Sequence, residues 1–292
     1  MTRELLGAVE AGGTKFRAAV VSSDVTIVDS RYVLTTDPDT TLATVSEFFG
    51  RFEPVAALGI ASFGPVDLDP DSPGYGSLEG TPKPGWSGAP ILDRLSDALG
   101  VPTGIQTDVE AAAVAEQALG PGPRPRRLAY VTVGTGIGAA VAVDGRPWRG
   151  RRHSELGHIP VRRAAGDDYP GRCPFHRDCL EGMACGPAMA ERWGLDPSEA
   201  GGRDDIWNLE ASYLVQLVRV LAYSFAPDRI VFGGGVGSRP GLAEMIHAKS
   251  RADLGGYADY TAGNDTFVTA PSLGDDSGLL GAALLARSLL DD

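Results

Sequence analysis

Two stretches of this chain, roughly 125 residues apart, carry the same pattern. Leu5–Val21 reads LLGAVEAGGTKFRAAVV and Leu128–Val143 reads LAYVTVGTGIGAAVAV. Each is a β-rich run, a Gly/Thr turn and a second β-rich run, the pattern of a hairpin with glycines at its tip. The spacing is too long for a solenoid repeat. It suits two related domains, each opening on a glycine-tipped hairpin. With 292 residues, 43% of them hydrophobic, the chain is long enough for two domains of ordinary size and a substantial core.

The remaining elements alternate. Val55–Ile60 is a short apolar strand running to Ser62-Phe-Gly-Pro65, and Gly104–Thr107 is strand-like. Asp108–Leu119 is an Ala-rich helix ending at Gly120. Pro121–Arg127 (PGPRPRR) is a linker and a natural domain boundary. Asp205–Phe225 places Ile206, Leu209, Leu214, Leu217, Val218 and Leu221 at helical spacing. Arg229–Gly235 is a buried strand running into three glycines, and Gly278–Leu290 is a final helix. Strands alternating with helices indicate an α/β class.

Net charge and composition narrow the partners. The formal charge is −12 and only three lysines occur, Lys15, Lys83 and Lys249, which argues against nucleic acid. No apolar run reaches the ~18–20 residues needed to span a bilayer, so no membrane partner is expected. The first residues lack a basic region followed by an apolar core, so no signal peptide is read. Cys173, Cys179 and Cys185 cannot all pair within one chain, which fits a reducing cytoplasm.

Three glycine turns each follow an apolar strand: Gly12-Gly13-Thr14-Lys15, Gly134-Thr135-Gly136 and Gly233-Gly234-Gly235. Glycine lets the backbone approach a ligand, and successive N–H groups can converge on phosphate oxygens. None of the three matches the Walker pattern or a complete GxGxxG. Asp108 stands at a strand–helix junction, where it reads either as the helix N-cap or as a base for a substrate hydroxyl.

The densest chemistry lies between residues 153 and 179. His158 precedes Cys173-Pro-Phe-His176-Arg-Asp-Cys179, a Cys₂His₂ donor set for tetrahedral Zn²⁺. Four protein ligands leave no open position, so the site reads as structural. Cys185 reads as a small core residue. Glu155 and Glu181 bracket the cluster and can accept hydrogen bonds from sugar hydroxyls.

Together these segments resemble the ROK family (repressors, open reading frames and sugar kinases). The matching motifs are EAGGTK at 10–15, TDVEAAA at 107–113, VGTGIGAA at 133–140, ELGHIPV at 155–161, CPFHRDCLEG at 173–182, FGGGV at 232–236 and GDDSGLLGAA at 274–283. The resemblance implies an α/β, actin-like ATPase (ribonuclease H-like) fold, two related domains around a cleft that holds ATP. Residues 1–120, joined by a C-terminal helix at about 278–292, would form one domain. Residues 121–277, with a zinc-binding loop at 158–179, would form the other. It implies Mg²⁺-dependent transfer of the γ-phosphoryl group to a sugar, with Asp108 as catalytic base. Glu10, Gly12, Gly13, Thr14, Lys15, Gly134, Thr135, Gly136, Gly234 and Gly235 would serve ATP and Mg²⁺. Glu155, His158 and Glu181 would bind the sugar, His158 using its other ring nitrogen for zinc.

The C-x₂-H-x₂-C spacing, with SFGPVDLDP (62–70) and TPKPGW (81–86), resembles the bacterial fructokinase branch. The expected reaction is phosphorylation of fructose to fructose 6-phosphate. Glu10, Thr107, Lys83 and Glu110 depart from the wider family, and Thr107 lacks a sugar-binding amide. Rival readings are a kinase for glucose, mannose or an N-acetylhexosamine, and a non-catalytic sugar-sensing regulator. A repressor would need an added DNA-binding domain. A homodimer is left open.

Overall fold

A computed structural model describes residues 5–81, 83–257, 260 and 264–291. Pro82 of the TPKPGW segment lies outside the described residues. The chain divides into two compact units. The first comprises Met1–Ala115, Arg149–His153 and Asp276–Asp292, and the second comprises Glu116–Trp148 and Ser154–Asp275.

In the first unit, β1 (Leu5–Ala11) and β2 (Lys15–Ser22) form the expected hairpin, in register from Leu5↔Ser22 to Ala11↔Phe16. The sheet continues with β3 (Ile27–Leu34), β4 (Leu58–Ser62) and β5 (Thr103–Thr107) in the order β3-β2-β1-β4-β5. β3, β2 and β1 pair antiparallel, whereas β1, β4 and β5 pair parallel. The helix α1 (Pro38–Phe49) starts because Asp37 accepts from the Thr40 N–H and Pro38 pre-sets the first turn. Next come α2 (Ile91–Leu99) and α3 (Asp108–Leu119), the second directly continuous with β5. Phe16, Trp86, Phe48 and Ile60 fill the core, and the buried indole N–H of Trp86 donates to the Thr36 carbonyl at 2.7 Å.

The second unit repeats the plan. Its strands are β6 (Arg127–Val133), β7 (Ile137–Val143), β8 (Arg146–Pro147), β9 (Arg229–Gly233) and β10 (Val268–Thr269). Their order, β8-β7-β6-β9-β10, has three antiparallel strands followed by parallel ones, as in the first sheet. The helices are α4 (Leu180–Ala184), α5 (Gly186–Trp193), α6 (Asp204–Phe225), α7 (Gly234–Gly237) and α8 (Leu242–Asp253). Along α6 the periodic residues Ile206, Leu214, Leu217, Val218 and Leu221 are buried, while Leu209 is partly exposed. Cys185 is buried in this core, and burial pushes its thiol up to about 11. Among the described residues no helix is long and apolar enough to cross a membrane.

The last helix, α9 (Ser277–Ser288), belongs to the first unit and packs on β1 and β4. It also touches α3 so closely that a Cβ on Gly281 would stand 2.0 Å from the Ala111 carbonyl oxygen. Two helix backbones leave no room to yield there. Gly281→Ala is therefore expected to cost about 1–3 kcal/mol of unfolding free energy from overpacking, read as a lower urea midpoint at unchanged slope.

Candidate active site and metal centre

The first turn of α3 bears on the capping reading of Asp108. Thr107 Oγ1 accepts from the Glu110 N–H at 3.2 Å, and Glu110 Oε2 accepts from the Thr107 N–H at 3.0 Å. This is a capping box, with Thr107 as N-cap and Glu110 closing it. Asp108 is not the cap. It is the first helical residue, and its Oδ1 accepts the neighbouring Val109 N–H at 2.8 Å. Burial pushes its pKa up to about 6; the Val109 amide and His153 oppose that rise, and Glu110 adds to it. The T-x-x-E spacing of the box was readable in TDVE, and it assigns the cap one residue earlier than the Asp rule does.

Arg149 donates to the buried Glu110 carboxylate at 3.1 Å, which balances a charge that is only 2% exposed. Arg149 and His153 belong to the same short segment of the first unit. Neither residue carries a sequence signal for this placement, because each reaches its partner across the fold rather than along the chain.

The β1–β2 turn in the same unit is tight. The Gly12 N–H donates to the Lys15 carbonyl at 3.1 Å, and Thr35 Oγ1 donates to the Gly12 carbonyl at 2.7 Å. Thr14 and Lys15 are exposed, and Lys15 Nζ rests 4.3 Å from the centre of the Tyr32 ring. Glu10 ends β1 with its carboxylate against the start of α9, since a Cβ on Gly278 would lie 2.4 Å from Glu10 Oε1. A helix N-terminus favours a negative group there.

In the second unit, the Gly134–Gly136 turn joins β6 to β7, with Thr135 exposed at its tip. Glu181, on the first turn of α4, lies beside it. Its Oε2 accepts from the Ile137 N–H at 2.9 Å, and a Cβ at Gly136 would come within 2.7 Å of the same oxygen. A side chain at Gly136 would displace that carboxylate. The other oxygen, Oε1, lies 4.0 Å from His158 Nε2. Glu155, exposed, precedes the 3₁₀ turn Leu156–His158 and accepts the His158 N–H on its carbonyl at 3.0 Å. Gly234, at φ 81°, turns the chain from β9 into α7. Gly235 lines a cavity of about 480 Å³ walled by Trp207, Pro197 and Pro240, where the Arg239 guanidinium stands 4.3 Å over the Trp207 ring.

His158, Cys173, His176 and Cys179 come together with all four ligand atoms within 4.8 Å of one another. His158 Nδ1 is 3.7 Å from Cys173 Sγ and 3.5 Å from Cys179 Sγ, and His176 Nδ1 is 3.8 Å from Cys173 Sγ. A tetrahedral Zn²⁺ with bonds of ~2.3 Å to sulfur and ~2.0–2.1 Å to nitrogen separates its donors by about 3.3–3.8 Å. The donor set and its spacing therefore fit zinc. Burial pushes the Cys179 thiol up to about 11, with Cys173 adding to the rise, so a thiolate pair there calls for a cation beside it. His158 turns Nδ1 to the thiols and Nε2 to Glu181, so one imidazole faces both groups.

The predicted residues divide between the two units. Asp108, with Glu10 and the Gly12–Lys15 turn, belongs to the first. Gly134–Gly136, Glu155, His158, Glu181, Gly234, Gly235 and the remaining metal ligands belong to the second.

Known proteins match over nearly the whole chain. The ROK family model covers residues 6–288. A fructokinase of Pediococcus pentosaceus is 40% identical over 98% of this chain and 99% of its own length. A putative fructokinase of Bacillus subtilis (strain 168) is 39% identical over 98% of this chain and 96% of its own length. The crystal structure of a ROK hexokinase from Thermus thermophilus superposes with a TM-score of 0.79, at 28% identity over 99% of both chains. The paired actin-like sheets and the full-length matches lead to one conclusion: this chain belongs to the ROK family.

Proposed function

We propose that this protein is a kinase that transfers the γ-phosphoryl group of ATP to fructose, yielding fructose 6-phosphate and ADP. The observation that carries the reading is Asp108, a half-buried carboxylate released from capping duty by Thr107 and Glu110. The full-length similarity to fructokinases supports the choice of sugar.

Phosphoryl transfer asks for positioning and charge stabilisation rather than covalent help from the protein. Asp108 accepts the proton of the attacking sugar hydroxyl while that oxygen bonds to the γ-phosphorus and the bond to the β–γ bridging oxygen breaks. Glu155, His158 Nε2 and Glu181 hold the sugar hydroxyls. The turns Gly12–Thr14 and Gly134–Gly136 offer backbone N–H groups to the phosphates, with Lys15 adding charge. The cavity beside Gly235 takes the base of ATP between apolar walls. Glu10 would hold Mg²⁺, which would supply neutralising charge to the phosphates. His158, Cys173, His176 and Cys179 would hold a zinc ion, which would supply structural order to the 158–179 loop.

Asp108→Asn is nearly isosteric and leaves the capping box in place. It should keep the fold and ATP binding while turnover falls by roughly 10²–10⁴-fold, the usual worth of a general base. More than a tenth of the wild-type turnover in a coupled ADP-release assay would show the base to be another group.

Metal analysis of protein purified without added zinc should find close to one equivalent per chain. Cys173→Ser should lose the metal and lower the thermal midpoint together, whereas Cys185→Ser should keep the metal. Wild-type protein that is metal-free and fully stable would refute the zinc site.

Fructose should be the better substrate. Both hexoses offer similar rows of hydroxyls, and the pocket separates them by which hydroxyl stays unpaired, at ~1–3 kcal/mol for each buried group. The check is kcat/KM for fructose, glucose and mannose at the same Mg²⁺-ATP concentration. A glucose value equal to the fructose value would move the assignment to a broader hexokinase.

A further inference from the structure

Cys173 follows His158 by fifteen residues, and most of the stretch between them, 161–172, forms neither helix nor strand. Such a stretch carries a loop-closure cost whenever its two ends must meet at one ion. Here side chains of α5 and α6 hold it down. The Gln216 side chain on α6 clamps Arg162, accepting its N–H at 2.7 Å and donating to its carbonyl at 3.0 Å. The Ala164 N–H donates to the Tyr213 hydroxyl, also on α6, at 3.2 Å.

Asp167 is the centre of this arrangement. Its side chain is only 6% exposed. Its Oδ2 pairs with the Arg192 guanidinium of α5 at 3.2 Å and accepts from the Tyr213 hydroxyl. Its Oδ1 accepts the Tyr169 N–H at 3.1 Å. Arg192 in turn lies over the rings of Tyr169, at 4.6 Å, and Tyr213, at 5.5 Å. A buried carboxylate is costly unless charge and hydrogen bonds meet it, and this one has both. The held stretch also reaches the turn between the two cysteine ligands. Arg163 donates to the Tyr169 carbonyl through Nη1 and meets Asp178 through Nη2 at 3.3 Å.

None of these side chains belongs to the four metal donors. We propose that Asp167, held by Arg192 and Tyr213, is a positioning residue for the metal centre. It fixes the path of 161–172 so that His158 and Cys173 face each other before Zn²⁺ arrives. The inference rests on the zinc reading of the four donors. A site whose ligands are placed in advance loses less of its binding free energy to ordering the chain. Only the exposed turn 174–178 is then left for the metal to order.

The test is the dissociation constant of Zn²⁺, measured by competition with a chromophoric chelator on the full chain after its metal is stripped. The proteins compared are the wild type, Tyr213→Phe, Asp167→Asn and Ile246→Val. Tyr213→Phe keeps the buried ring and removes only the hydroxyl. Ile246→Val thins the core at α8 and controls for stability alone. Tyr213→Phe and Asp167→Asn should each weaken Zn²⁺ by about tenfold or more, as loss of the supports around a metal site does. Amide exchange of residues 162–172 should quicken in both metal-free variants and slow again when Zn²⁺ is added. Ile246→Val should bind as the wild type does. Folded Tyr213→Phe protein that binds Zn²⁺ as tightly as the wild type would overturn the proposal and leave the zinc site standing. That variant decides alone if Asp167→Asn, which strands Arg192 in the core, does not fold. An equal loss in Ile246→Val would also overturn it, by assigning the effect to stability. A wild type that takes up no Zn²⁺ would overturn both readings.

Discussion

One buried carboxylate, Glu110, organises the corner of the first unit that holds Asp108. Its Oε2 accepts from the Thr107 N–H, which closes the cap of α3, and from Arg149, which anchors a segment distant in sequence. A buried carboxylate without partners costs several kcal/mol or takes up a proton. Here both partners do structural work. The cap sets where α3 begins, and that in turn makes Asp108 the first helical residue rather than the last extended one. The ion pair fixes Arg149, and with it the segment that runs to His153. Removing Glu110 would disturb the cap, the segment and the electrostatics of Asp108 together.

The two sheets answer the same problem twice. In each, the first strand pairs antiparallel with the second and parallel with the fourth, so the hairpin turn stands at the end of the sheet to which the parallel strands also point. Ligands gather at the carboxyl ends of parallel strands, where helix N-termini and turn amides face outward. The glycines at 12–13, 134–136 and 233–235 occupy those ends. In the first unit the same end of the sheet leads through β5 into Asp108. In the second, β9 leads into α7 at Gly234.

Much of this was legible in the sequence, for physical reasons. Hairpins show through alternation and glycine tips, and α6 shows through its period, because both patterns record which side chains leave water. Boundaries were less legible. Apolar content marks burial and not pairing, so Val55–Ile60 reads as a strand although pairing with β1 begins only at Leu58. Val55 is buried without a ladder partner, while polar Ser62, buried too, ends the strand. Arg229–Gly235 reads as a strand running into three glycines, and β9 does end at the first of them, Gly233, where Gly234 with its positive φ starts a helical turn. At the site, the donor set at 158–179 was visible because its ligands are close in sequence. His153 and Arg149 were invisible because their partners, Val66 and Glu110, are not.

The 158–179 segment illustrates how a short polar stretch would acquire order from a bound metal. Residues 174–178 are exposed and contribute almost nothing to the core. Cys173 and Cys179 are nevertheless buried, and the turn between them closes with the Arg177 N–H on the Cys173 carbonyl at 2.9 Å. The Leu180 N–H then ties the loop's end to the Ile159 carbonyl at 3.0 Å, next to His158. A metal cross-linking His158 to Cys173 and Cys179 would therefore fix the start of α4, and α4 carries Glu181 to the Gly134–Gly136 turn. That carboxylate is bonded to the Ile137 amide on one oxygen and faces the His158 imidazole at 4.0 Å on the other. Order imposed by a metal on these four donors would thereby pass to Glu181 through one helical turn, a distance over which a helix is stiff.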